Sequence, residues 1–417
     1  MRYGTGTLAA PAAVLAALAL AVVCARSTKA PEGVLFKDDL AYLEANTGVV
    51  VLSSADGQSR VAVSPALQGR VLTSTASGPD GPSLGWINRE AIAKGAINPH
   101  MNAFGGEDRF WLGPEGGQFS IFFKEKDPFD LEHWFTPPPV NSEAFAVVSQ
   151  STDRITFRQP MTVRNYSGTE FSVDVDREIR LLDRSAVASL GLGVPEGIRM
   201  AAFSSDNSIR NAGDAPWTKE AGVLSIWILG MFNPSPETTI VVPFRRGPVA
   251  ELGPIVNDDY FGKVPSDRLI VDKEAGLLFF KGDGQFRSKI GVPPGRAKPF
   301  AASYDPTRGI LTIVHFTIPG NVLEYVNSKW EIQDNPFAGD VVNSYNDGPA
   351  SPGAESLGSF YELESSSPAA FLAPGESLGH VHTTMHFQGP EAALDKIAHA
   401  ALGVGLDRVK AAFAPGK

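Results

Sequence analysis

Cysteine is almost missing from this chain. Of 417 residues only Cys24 is one, so no disulfide can staple the fold and no cysteine nucleophile is expected in the body that follows. Positive charge is scarce too: 36 Lys and Arg stand against 46 Asp and Glu, a formal net charge of −10 with a pI of ≈ 5.3. A nucleic-acid backbone would be repelled unless a dense basic patch offset this. The densest basic spots, Arg245-Arg246 and Arg287 to Lys289, are too small. After Val23 there is no long apolar run, which excludes a polytopic membrane protein. A Walker loop and a G-x-S-x-G elbow are absent. So is any repeat at the roughly 40–50 residues that a propeller blade needs.

Residues 1–24 read as a signal peptide. Arg2 supplies a short basic start, and Leu8 to Val23 is almost wholly Ala, Leu and Val. That run is short against the roughly 20 residues of a bilayer span. Cys24 ends it, where a bacterial lipoprotein is cleaved and acylated, behind an imperfect lipobox, Leu20-Ala21-Val22-Val23. The competing reading is soluble secretion by cleavage after Ala25. Both take the protein out of the cytoplasm, to the periplasm or the cell surface. Membrane contact is expected only through the lipid anchor, and a single acyl chain anchors weakly.

The body is rich in turn formers, with 42 Gly and 32 Pro. Residues 25–46 read as a linker and a short helix, with Phe36, Leu40 and Leu43 at helical spacing. From residue 47 to 389 short β-branched and aromatic runs recur between Gly, Pro, Asn and Asp clusters. Among them are Arg154-Ile-Thr-Phe157, Leu224-Ser-Ile-Trp-Ile-Leu229, Ile310-Leu-Thr-Ile-Val-His-Phe316 and His380-Val-His-Thr-Thr-Met-His-Phe387. The expected fold is all-β, a large twisted sandwich. Residues 390–417 read as a C-terminal helix packed on the sandwich, with its stripe interrupted by Gly403 and Gly405.

The segment Asn102 to Gln118 concentrates the chemistry. Glu107, Asp108, Arg109 and Glu115 offer hydrogen-bond partners, Trp111 offers a flat apolar face, and the glycines let backbone approach a ligand. A sugar ring wants that mixture. The structural alternative is a Gly-rich turn with Arg109 paired to a carboxylate. Arg70 at a strand start and Trp134 in a Pro-rich loop are further binding candidates. His380, His382, Thr384 and His386 share one parity, so one sheet face receives all four. His380 and His382 would lie about 7 Å apart, suiting one ligand. A shared metal would need a third donor from elsewhere, and neither a metal nor a cofactor is expected. Glu362 and Glu364 share a face, with Tyr361 and Leu363 pointing the other way. Paired carboxylates can act as acid and base, and they are also common on a solvated sheet. His380, His382 and Glu362 are the candidates for proton transfer.

Four segments carry a family resemblance. Gly69-Arg70, Gly105-Gly-Glu-Asp-Arg-Phe-Trp-Leu-Gly-Pro-Glu115, Tyr361-Glu-Leu-Glu364 and Ala373-Pro-Gly-Glu376 resemble an uncharacterised family of exported bacterial lipoproteins across most of residues 35–390. That family is distantly similar to the galactose mutarotase-like superfamily. The resemblance implies a β-supersandwich with a sugar site on its concave face. It implies too that a catalytic member would use acid/base chemistry on a sugar, as aldose epimerases do with a His acid and a Glu base. No residue matches the mid-chain catalytic His: His133 sits in a Pro-rich loop and His315 in a strand. Lyases, hydrolase domains and non-catalytic binders share the fold, so fold alone does not assign the reaction. The expectation is a carbohydrate-binding or carbohydrate-processing protein. The alternative is a non-catalytic glycan-binding or assembly lipoprotein.

Overall fold

Period-two alternation is clearest in the longest hairpin. Arg154–Arg164 and Glu170–Leu181 alternate exposed and buried positions and pair antiparallel from Arg154↔Arg180 to Arg164↔Glu170. One face of this hairpin is solvated and the other packs inward, as antiparallel sheets allow. The computed structural model describes Met1, residues 33–349 and residues 353–414. Cys24 and all but Met1 of the segment read as a signal peptide lie outside the described residues, and the described residues from 33 onward belong to one compact unit. Among the described residues no helix is long and apolar enough to cross a membrane.

The hairpin belongs to a ten-stranded antiparallel sheet that runs from Leu269–Asp272 at one edge to Ala146–Gln150 at the other. At its centre Ser377–Gln388 pairs with Arg199–Asn211 and Ile310–Phe316. A second sheet of five strands has the order Ser288–Val292, Val342–Asn346, Tyr361–Ser366, Ser225–Phe232, Arg109–Gly113. A third, of three strands, is formed by Val50–Ser53, Arg60–Ser64 and Arg70–Thr75. The expected all-β class is what the chain adopts, with a helix at each end.

The five-stranded sheet differs from the long hairpin in being buried on both faces. Every residue of Arg109–Gly113, Ser225–Phe232, Ser288–Val292 and Val342–Asn346 is buried. Its inner face meets the ten-stranded sheet. There Tyr361 and Leu363 join Ile240, Phe280 and Val314 in one core. Its outer face is roofed by loops, and between sheet and roof lies a cavity. The opposite side of the ten-stranded sheet carries the C-terminal helices Glu391–Leu402 and Leu406–Ala411. Leu394, Ile397, Leu402, Leu406 and Val409 pack there on Leu311, Ile313, Met385 and Phe387. Two helices form rather than one because Gly403 ends the first in a left-handed conformation (φ 75°).

A cavity on the outer face of the five-stranded sheet

Strand parity decides what faces the cavity. Along Ser225–Phe232 the lining residues are Trp227, Leu229 and Met231; along Arg109–Gly113 they are Arg109 and Trp111; on Tyr361–Ser366 it is Glu362. Alternate residues turn inward to the core. The cavity holds about 190 Å³. Loops complete it with Glu115, Trp134, Phe261 and Trp330, and four of the six tryptophans of the chain line it.

The aromatics form one connected wall. Trp111 packs edge-on to Trp227 (centroids 5.5 Å, 73°) and 6.3 Å from Trp134, which stacks on Trp330 at 5.9 Å. Trp111 donates its indole N–H to the Val140 carbonyl (3.1 Å) and Trp227 donates to Glu364 (2.8 Å). Buried tryptophans usually find such a partner. Trp134 Nε1 has none, although it is buried.

Three cations stand against this wall, each over a ring: Arg109 over Trp111 (4.2 Å), Lys289 over Trp227 (4.7 Å) and Arg287 over Phe261 (3.9 Å). The two deeper ones each bond a carboxyl group. Arg109 Nη2 donates to Glu362 Oε1 at 2.9 Å and Lys289 Nζ to Glu364 Oε2 at 3.0 Å, and all four side chains are buried. Arg109 Nε remains buried without a partner.

Acids outnumber cations here, and little water reaches them. Burial pushes the Glu362 carboxyl up to about 8; Arg109 opposes that shift and the Glu364 charge adds to it. The carboxyl is thus mainly protonated at neutral pH, and it still accepts the Arg109 hydrogen bond through its carbonyl oxygen. Burial likewise raises Glu115 and Asp347. Burial alone would lower Lys289, but the surrounding acids, Glu364 first, outweigh it and raise the ammonium's pKa. A protonated acid beside a fixed guanidinium, in a water-poor aromatic cavity, can donate a proton to a bound oxygen.

Of the residues singled out in the sequence, Arg109, Trp111, Glu115, Trp134 and Glu362 meet at this cavity. Arg70, Glu107, Asp108, His380 and His382 do not line it. Asp108 is clamped between the sheets by Arg177 (2.5 Å) and Ser205 (2.7 Å), with both charged side chains 0% exposed. Glu107 accepts from the Ser74 amide (2.6 Å) and hydroxyl and meets His386 Nε2 at 2.9 Å, while His386 Nδ1 meets Thr312. This hydroxyl–imidazole–carboxylate chain copies the connectivity of a catalytic relay. It is closed to solvent, so it acts as a buried clamp between sheets. Arg70 lies in the interior, donating to the Gly105 carbonyl and to Gln68. Gly105 and Gly106 permit that approach: they have φ 88° and 113°, and a Cβ would sit 2.1 Å from the Trp86 carbonyl or 2.7 Å from that of Val71.

His380 and His382 do share one face, but it is the inner one. Both rings converge on the Ser365 hydroxyl at 2.8 Å. Burial depresses them to about 3 and about 4, so they stay neutral across the physiological range. A carboxylate ligand to complete a metal site is missing: among the described residues no group of three or more His, Cys, Asp or Glu is placed to hold an ion. Among the described residues no histidine lines the cavity. His133 instead pairs with Asp130 at the surface (2.7 Å), and His315 packs on Phe300.

Sequence reasoning passed over Arg287, Lys289, Phe261 and Trp330. The first two were noticed only as a basic spot too small for nucleic acid. The i, i+2 spacing of Arg287 and Lys289 beside a strand was the available signal for a shared face.

In overall shape the chain is similar to a candidate aldose 1-epimerase from Escherichia coli K12 (14% identity, 82% of this chain and 99% of that one, TM-score 0.48). It is also similar to a galactose mutarotase-like protein from Lactobacillus casei (10%, 82% and 100%, 0.46) and an aldose epimerase homologue from C. elegans (9%, 82% and 100%, 0.45). No curated protein matches the sequence. Residues 34–413 match a family of unknown function, DUF6786, and the chain belongs to that family.

Proposed function

We propose that the cavity binds a carbohydrate and that Glu362 is the group that exchanges a proton with it. The observation that carries this reading is the pairing of a continuous tryptophan wall with two buried donors that lack partners, Arg109 Nε and Trp134 Nε1. Buried polar atoms are nearly always satisfied, so unspent donors beside an aromatic wall suit a ligand with one apolar face and a rim of oxygens. Glu362 favours proton transfer over plain binding, because a carboxyl held up to about 8 can give and take a proton near neutral pH. The acid/base role read from the sequence for His380 and His382 has no support from their position. Export by the N-terminal signal and acylation of Cys24 complete the proposal: a protein outside the cytoplasm would meet glycans there.

Tryptophan fluorescence tests this directly, since four of the six tryptophans face the cavity. Titration of the full chain with a panel of mono- and oligosaccharides should give a saturable change for at least one sugar. Trp330→Ala, at the half-buried mouth, should weaken that affinity roughly tenfold through the lost stacking face. Absence of any saturable change, with protein shown to be folded, would refute the carbohydrate reading.

A further inference from the structure

We infer that the ligand carries a carboxylate, as a uronic acid residue does, and that Arg287 receives it. This rests on the carbohydrate reading above and narrows its substrate class. The deeper cations already hold carboxyl partners, Arg109 bonding Glu362 and Lys289 bonding Glu364. Arg287 is the unmatched one of the three: among the described residues its guanidinium makes neither an ion pair nor a hydrogen bond. It is half-buried at the cavity mouth and held 3.9 Å from the Phe261 ring centroid. Stacking on a ring orders the guanidinium while leaving its N–H edge unspent, and that edge fits a carboxylate in a two-bonded fork.

The surroundings discriminate among anions. Glu115, Asp347 and Glu355 also line this cavity, and one guanidinium among three acids repels a phosphate dianion more than a single negative charge. A sugar with its ring over the tryptophan wall and its oxygens towards Arg109 and Glu362 would have one end at the mouth, where Arg287 waits.

Calorimetric titration of the full chain compares glucose and galactose with glucuronate, galacturonate, glucose 6-phosphate and a galactose sulfate ester. Uronates should bind about tenfold more tightly than the matching neutral sugars. Arg287→Ala should bring that ratio to within about twofold, and Arg287→Lys should restore part of it. Equal affinity for neutral sugar and uronate, or a preference that survives Arg287→Ala, overturns the inference while leaving the carbohydrate reading standing. A stronger preference for the phosphate or sulfate ester overturns the assignment of a carboxylate. No binding of any sugar overturns both.

Discussion

Asp108→Ala should destabilise the fold by about 3–5 kcal/mol, the cost of leaving a buried charge unpaired. Asp108 and Arg177 are sealed between the sheets, and Arg177 also donates to Asn207 (2.5 Å) and to the Gly69 carbonyl (3.2 Å). Removing the carboxylate strands the guanidinium where water cannot reach it. The double variant Asp108→Leu/Arg177→Met should recover much of the loss, because apolar replacement of a whole buried pair is often neutral. Urea unfolding of the three proteins measures this. A loss below 1 kcal/mol for Asp108→Ala would show the motif to be a surface feature, as a ligand-contacting role would require.

Stability should also fall as pH rises from 7 to 8, by about 1 kcal/mol, and Glu362 is the cause. Its folded value of about 8 lies above the 4.5 of an ordinary glutamate. The native state therefore holds an extra proton between those values, and the stability this confers is complete below 4.5 and lost as pH climbs to 8. Asp340, raised by burial to about 6 from 3.8, acts in the same sense over a lower range. His380 and His382 act oppositely: their folded values of about 3 and about 4 lie below 6.5. Stability is lost as pH falls from 6.5, when the unfolded chain takes up protons that the native state refuses. Between pH 6 and 4.5 the contributions of these four groups offset one another. Glu362→Gln should abolish the alkaline fall while keeping an acceptor for Arg109. Thermal unfolding of both proteins from pH 6.5 to 8.5 reads this. The same slope in both would place the titrating group elsewhere.

Strand parity was legible from the residues themselves. Alternation put Glu362 and Glu364 on one face with Tyr361 and Leu363 on the other. It also put His380, His382 and His386 together, and the structure keeps both groupings. What parity could not tell was which face opens to a ligand. A strand buried on both sides alternates between two interiors, and the polar residues that knit the sheets together carry the same side chains that a site would use. Glu107, Asp108 and Arg70 thus read as binding groups, although Ser74, Arg177 and Gly105 occupy them. The residues that separate the two readings are distant in sequence. Arg109 meets Glu362 253 positions away, and Ser74 meets Glu107 33 positions away. The Trp111, Trp134 and Trp330 wall is likewise assembled from separate segments. The cation over Phe261 was beyond reach for the same reason, since Arg287 and Phe261 meet only once the five-stranded sheet is closed by its loops.

The most direct test is diffraction from crystals of the full chain soaked in the sugar that gives the largest fluorescence change. The expected result is the sugar ring against Trp111, Trp134 and Trp330, with its oxygens within hydrogen-bond distance of Arg109 and Glu362. A ligand bound outside this cavity, or seated in it with Glu362 untouched, would contradict it.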